Sequence, residues 1–189
     1  MTDLGAAVQE IVSFLESRSV PYMIIGGFAN LHWGRPRLTQ DIDVTVSVPD
    51  AQWQEFINAA GAAFRLLAPE PLEFARRTRV IPACTQGGIP VDIVLAGISY
   101  EEAAIRRAVS VDVEGMAVRL CTAEDLVLHK LASDRPRDLE DAEGVVLRQG
   151  AALDRAYLAP LVTDLAEVLE RPSILVQYRE ALAKAGLEL

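Results

Sequence analysis

The sequence predicts an α/β (α+β) protein: a mixed β-sheet flanked by helices, followed by a helical C-terminal extension. Three observations carry that prediction. Short apolar runs with the two-residue alternation of strands recur through the first 120 residues, interleaved with stretches whose apolar residues return every three or four positions. From Thr122 onward only the helical period remains. And one strand, Asp41-Ile42-Asp43-Val44-Thr45-Val46-Ser47-Val48, opens with two carboxylates one residue apart, downstream of a Gly-Gly turn.

In order, Leu4, Val8, Ile11, Val12 and Leu15 space a helix over about 4–18, and Pro21 leads into a short strand over 22–25. Gly26 and Gly27 turn the chain into a short helix over 28–33, which Gly34 and Pro36 end. Residues 35–40 form the loop that feeds the acidic strand. There Ile42, Val44, Val46 and Val48 face a core, so Asp41 and Asp43 emerge together on the open face. Pro49 and Asp50 close the strand, with Asp50 as N-cap of a helix to about residue 63.

Pro69 and Pro71 interrupt the next stretch and leave room for a short helix near 72–76. Strands over 80–85 and 89–95 join at Gly87-Gly88, and the second carries Asp92 in an apolar run, where an unpaired buried charge is costly. A helix over about 100–108 precedes a hairpin of 109–113 and 117–120 around Glu114-Gly115. Thr122-Ala123-Glu124-Asp125 has the spacing of a capping box and opens a helix over 123–132. Asp134-Arg135-Pro136 breaks it before a helix over about 137–147. After Gly150 come two amphipathic segments, one built on Leu158, Leu161, Leu165 and Leu169, the other on Ile174, Leu175, Tyr178 and Leu182. Residues 1–150 therefore read as one domain and 151–189 as a helical extension packed on it.

With 189 residues and 51% hydrophobic content, the chain can build a core and is not biased toward disorder. Its start lacks the basic and apolar pattern of a signal peptide, and no apolar stretch approaches the ~20 residues of a membrane span. A cytoplasmic protein without a membrane partner is expected. Cys84, Cys121, His32 and His129 form no close-spaced ligand motif, which argues against structural zinc. A net charge of -9 argues against broad non-specific nucleic-acid binding, and the short Arg clusters read mostly as solvated faces. Lysine occurs only at 130 and 184, which singles out Lys130, on a helix whose other face, Val127, Leu128 and Leu131, is apolar; a snorkelling surface lysine is the alternative there.

Two carboxylates as close as Asp41 and Asp43 repel each other unless a cation lies between them, and hard oxygen ligands at that spacing suit Mg2+. Gly26 and Gly27 supply a backbone that a phosphate can approach closely and a helix N-terminus that favours anions.

A Gly-Gly after an apolar strand, followed by a D-x-D strand, resembles the signature of the DNA polymerase beta-type nucleotidyltransferase superfamily. The resemblance spans roughly residues 22–147 and implies the nucleotidyltransferase fold. It also implies transfer of a nucleoside monophosphate from an NTP, ATP among the donors, to an acceptor, with pyrophosphate leaving. Two Mg2+ ions would be held by Asp41, Asp43 and Asp92, and Asp92 would also take the proton of the acceptor hydroxyl. Gly26 and Gly27 would grip the phosphates. Residues 122–141, TAEDLVLHKLASDRPRDLED, resemble the downstream motif of the AbiEii-like branch. Carried over by position, Lys130 contacts the triphosphate and Arg137 with Asp138 supports the site; Asp141, one helical turn on, serves equally well. Arg37 and Thr39 stand where relatives carry an Arg and a Thr, the first to reach a phosphate, the second to tether the loop.

That branch implies a toxin acting on RNA or protein, with a cognate antitoxin as partner. A rival reading is a small-molecule transferase similar to the aminoglycoside and lincosamide nucleotidyltransferases, which the acidic surface favours. A third is a catalytically inactive nucleotide-binding module. The sequence leaves the oligomeric state open.

Overall fold

The computed structural model describes residues 3–188. The chain forms two compact units: Met1–Phe28 with Leu38–Cys121, and Ala29–Arg37 with Thr122–Leu189.

The first unit holds α1 (Asp3–Glu16), β1 (Tyr22–Ile25) and the start of α2 (Gly26–Trp33). It continues through β2 (Ile42–Val46), α3 (Trp53–Ala63), β3 (Arg65–Leu66), α4 (Pro71–Thr78) and β4 (Val80–Cys84). β5 (Pro90–Leu95), α5 (Ser99–Arg107), β6 (Val109–Val113) and β7 (Met116–Leu120) complete it. The strands make one sheet in the order β3-β4-β5-β2-β1-β7-β6. β2 runs antiparallel to β1 and parallel to β5, and β1 runs parallel to β7, so the sheet is mixed, as expected.

Apolar alternation builds the sheet. Ile42, Val44 and Val46 are fully buried, as are Ile81, Ile93 and Leu95. On α1, Ala7, Val8, Ile11, Val12, Phe14 and Leu15 form the buried stripe, and Phe14 meets the rings of Phe56 and Phe64 at 5.8 and 5.1 Å. Burial of that many large side chains, at about 1.5–3 kcal/mol each, is the main favourable term holding this unit together. The second face of β2 is open only at its start. Thr45 is fully buried, and Ser47 donates to the Glu102 carboxylate of α5 at 2.8 Å. The acidic end of the strand is left to solvent.

Several boundaries differ from the sequence expectation for local reasons. α2 starts at Gly26 rather than 28, because Gly26 at φ +65° makes the turn that lets the helix begin at once. Asp50 caps nothing with its side chain; a 3-10 turn over Asp50–Gln52 intervenes before α3. α4 is longer than expected because Pro71 sits in its first turn, where a missing N–H costs nothing, and Arg79 ends it in the left-handed conformation.

The second unit contains the end of α2 and four helices: α6 (Ala123–Ala132), α7 (Pro136–Gln149), α8 (Arg155–Val168) and α9 (Ser173–Lys184). Thr122 caps α6 by accepting from the Asp125 amide at 3.2 Å, and its hydroxyl donates to the Asp125 carboxylate at 2.9 Å. Tyr157 of α8 donates to the other oxygen of that carboxylate at 2.8 Å, tying α8 to α6 through a fully buried acid. Ile174, Tyr178 and Leu182 form the buried stripe of α9, and Leu158 and Val162 that of α8. Among the described residues no helix is long and apolar enough to cross a membrane.

Candidate functional site

Register places the acids. β2 and β5 are parallel neighbours with Asp43 directly opposite Asp92. Residues paired in this way present their side chains to the same face, on strands about 4.8 Å apart. Asp41 lies two residues earlier on that face and is exposed; Asp43 is half-buried. Asp92 is exposed, while Val91 and Ile93 beside it are buried. The cost of burying a charge therefore does not explain Asp92. Strand alternation does: it sits on the accessible face of an otherwise apolar strand.

The electrostatics follow from that proximity. Partial burial, and after it the negative charge of Asp41, push the Asp92 carboxyl above its ordinary value of 3.8. Thr39 donates its hydroxyl to the Asp41 carboxylate at 2.8 Å, which tethers the loop to the first acid. On the other side of β2, β1 ends with Ile25 opposite Asp43, so the next residue, Gly26, comes to rest against that acid. A Cβ built on Gly26 would lie 1.9 Å from Asp43 Oδ2. Only glycine fits there, on space and on backbone conformation together.

Among the described residues no three His, Cys, Asp or Glu side chains are gathered as a ready-made metal-ligand group. The donor set nonetheless suits a hard divalent cation. Asp41, Asp43 and Asp92 share a face, offer only carboxylate oxygens, and stand close enough for Asp41 to perturb Asp92.

The second unit carries the remaining sequence-selected residues, and it brings most of them together. Lys130, with its side chain 8% exposed, donates to Asp138 Oδ1 at 2.5 Å and lies 3.0 Å from Asp141 Oδ2. Arg37 grips Asp141 with two parallel bonds, Nε to Oδ1 at 2.8 Å and Nη2 to Oδ2 at 2.7 Å. Arg135 and Ser133 both donate to Asp138 Oδ2, at 2.6 and 2.8 Å. Three cations thus meet two carboxylates. Burial alone would raise both acids. The hydrogen bonds from Lys130 and Ser133 hold Asp138 below its ordinary value, and those from Arg37 and Lys130 hold Asp141 below its own. Lys130 is therefore a buried ion-pair partner, not a snorkelling surface lysine. Arg137, expected beside Asp138, is exposed on α7, and Arg135, itself largely exposed, pairs with Asp138.

Asn30 is the residue that sequence reasoning missed. Fully buried on α2, it donates to the Arg35 carbonyl at 3.0 Å and to Asp141 Oδ1 at 3.3 Å. The signal was there: an amide among apolar neighbours in a short helix. His32 is exposed and meets the Trp33 ring edge-on at 4.4 Å, while His129 is half-buried.

No known family model matches the sequence, and no curated protein matches it. Solved structures do. An antigenic nucleotidyltransferase-like protein from Paracoccidioides brasiliensis superposes with a TM-score of 0.54 at 17% identity, covering 94% of this chain and 92% of that one. The antibiotic-resistance factor ANT(2'')-Ia in solution gives 0.58 at 14% identity over 94% of this chain and 96% of its own. The same factor in complex with adenylyl-2''-tobramycin gives 0.60 at 18% identity, over 89% and 99%. The chain has the nucleotidyltransferase fold. At these identities the likeness is one of architecture, and the fold expectation is met. Within the nucleotidyltransferase fold of this chain, the acidic start of β2, the glycine turn and Asp92 belong to the first unit. Lys130, Asp138 and Asp141 belong to the second.

Proposed function

We propose that the protein is a Mg2+-dependent nucleotidyltransferase of the cytoplasm, moving a nucleoside monophosphate from an NTP to a hydroxyl-bearing acceptor. One observation carries the reading: Asp43 and Asp92 stand in register on adjacent parallel strands, with Asp41 on the same face and a Cβ-intolerant glycine turn against Asp43. Asp41, Asp43 and Asp92 would hold the metal, two ions in the full complex, which when bound neutralises triphosphate charge and stabilises the attacking and leaving oxygens. Gly26 and Gly27 let the backbone approach the phosphates, and the N-terminus of α2 favours their charge. Asp92, its proton affinity raised, takes the acceptor proton as the new P–O bond forms and pyrophosphate departs. Residues 1–150 serve as the catalytic module and 151–189 as its helical extension. Within the second unit Lys130, Arg37, Asp138 and Asp141 form one ion-pair cluster, and in the first unit Thr39 tethers Asp41.

The acceptor we favour is a small cationic, hydroxylated molecule. Support comes from the net charge of -9 and from near-complete coverage of ANT(2'')-Ia, whose ligand in one structure is an adenylylated aminoglycoside. The second reading, an AbiEii-like toxin acting on RNA or protein and neutralised by an antitoxin, is favoured by the Lys130–Asp138–Asp141 cluster built from the 122–141 segment.

Transfer of label from each alpha-labelled NTP with Mg2+ tests both. Aminoglycosides, total tRNA and the protein alone are offered in turn, with Asp41→Ala/Asp43→Ala as control. Label on an aminoglycoside supports the first acceptor, and label on RNA or protein the second. Intact NTP binding without transfer in any lane would leave a binding module.

A further inference from the structure

α7 and α9 pack together in the second unit, and a cavity of about 190 Å3 opens between them over Val127 of α6. Its walls are apolar, formed by Leu139, Ala142 and Val146 of α7 and Ala181 of α9. Three carboxylates line it as well, Glu140 and Glu143 from α7 and Glu180 from α9. Residues 139, 142, 143 and 146 fall on one helix face, which is why apolar and acidic side chains share the cleft. One cation of the chain already answers those acids. Lys184, a turn beyond Glu180, places its ammonium 2.5 Å from Glu143 Oε2.

The acids are not the only polar groups of the cavity. Two adjacent residues of α9 line it and carry buried polar atoms without a hydrogen-bond partner, Gln177 Oε1 and the Tyr178 hydroxyl. Tyr178 is 1% exposed. A buried polar group left unpaired is costly, so a ligand that satisfies both atoms recovers that cost on binding. The Gln177 oxygen only accepts, and a phenol oxygen can accept too. The ligand is therefore a hydrogen-bond donor, and the three carboxylates make it a cation. A bare metal ion fits poorly. Mg2+ and Ca2+ take about six or more oxygens around one point, and among the described residues no three acids are gathered in that way. An ammonium asks only for acceptors to its N–H bonds, and an alkyl chain behind it suits the apolar walls.

We propose that the α7–α9 cleft binds a short aliphatic diamine. One ammonium is held by Gln177 and Tyr178, the other by the rim carboxylates, and the chain lies against Val146 and Ala181. Among the described residues the lining comes from α6, α7 and α9, so binding there needs nothing from the transfer reaction.

Calorimetric titration of the whole chain with 1,4-diaminobutane tests the site. Ionic strength is held fixed, so that general screening of the net charge of -9 does not change. 1-Butanol, which has the chain without the charge, is the comparison. Expected is saturable one-to-one binding of the diamine, about 10-fold or more tighter than of butanol. Tyr178→Phe removes only the hydroxyl, and should weaken the diamine about 2- to 10-fold with an unchanged or higher melting temperature. A merely structural hydroxyl would instead lower the melting temperature and leave the affinity alone. Gln177→Leu should weaken binding by a similar factor, and Glu180→Gln by about 2- to 5-fold. Glu70→Gln, an exposed acid of the first unit, should change nothing. If Gln177→Leu fails to fold, the isosteric Tyr178→Phe decides. The site is overturned by absence of saturable binding, by butanol binding as tightly as the diamine, or by wild-type affinity in folded Tyr178→Phe or Gln177→Leu. Equal losses in Glu70→Gln and Glu180→Gln would overturn it too, as general surface charge.

Discussion

Gly26 packs directly against Asp43: a methyl group on Gly26 would overlap the Asp43 carboxylate at 1.9 Å. The turn and the acid are thereby locked together at the junction of β1 and β2. Gly26→Ala meets two penalties, the overlap and a left-handed backbone worth roughly 1–2 kcal/mol for a residue with a Cβ. The expected outcome is a lower melting temperature together with a loss of transfer of about 100-fold or more, measured as kcat. A variant of wild-type activity would show that the turn has no part in the chemistry.

Asp92 predicts a pH profile. Its carboxyl is raised, first by partial burial and then by Asp41, so it gives up its proton at higher pH than an ordinary aspartate. Transfer should rise with pH along an acid limb set by this group. Asp41→Asn removes one repelling charge and should shift the Asp92 titration, followed by carboxyl carbon NMR, to lower pH. Asp92→Asn should lose about 100- to 10,000-fold in kcat and with it that limb. An unshifted titration in Asp41→Asn would mean that the two carboxylates do not sense each other.

Mg2+ binding should depend on the shared face. Calorimetric titration of Mg2+ in the presence of a non-hydrolysable NTP is expected to give clear binding for the wild type and none for Asp41→Asn/Asp43→Asn. Chelation with EDTA should abolish transfer. Activity that survives EDTA would remove the metal from the reading.

Acid should loosen the second unit before it affects the sheet. Asp138 and Asp141 titrate below 3.8 in the folded chain because their cationic and hydroxyl partners outweigh burial. Depressed acids stabilise the fold at pH values above about 3.8, and the contribution is lost as pH falls from there through the folded values. The urea midpoint should therefore drop as pH falls below about 3.8, and Asp138→Asn should flatten that drop. An equal slope in the variant would place the acid sensitivity elsewhere.

Lys130→Met should cost about 1.5–3 kcal/mol in chemical denaturation, because it removes the buried cation shared by Asp138 and Asp141, which keep Arg135 with Ser133 and Arg37 with Asn30 as partners. Lys130→Arg, keeping the charge, should recover part of that. If Lys130→Met unfolds at the wild-type denaturant concentration, the lysine is not holding the cluster together.

Most of the sheet was legible because strand alternation survives in a single sequence. β2 and β5 stand out by their apolar residues, and the acids stand out against them. What the sequence could not supply was register. Nothing in Asp41-Ile42-Asp43 says that Asp92 will lie opposite Asp43, since that depends on a pairing 49 positions away along the chain. The same limit hid Asn30. A buried amide declares its purpose only once its partner is known, and Asp141 lies 111 residues further on. Arg135 was not singled out because spacing from a motif ranks residues by position, whereas its bond to Asp138 exists only once the break before α7 is folded.

The pairing of Arg37 with Asp141 also orders events in time. Their separation is 104 residues, so at about 5–20 residues per second a ribosome needs roughly 5–20 s to deliver the acid after the arginine. During that interval β2, β5 and β7 can emerge and join β1, while the 30–37 segment has no helix to lean on. A nascent chain halted before α7 should therefore form its sheet yet leave residues 30–37 without their anchor. Order in that segment would arrive late in synthesis, with the helix and not with the sheet.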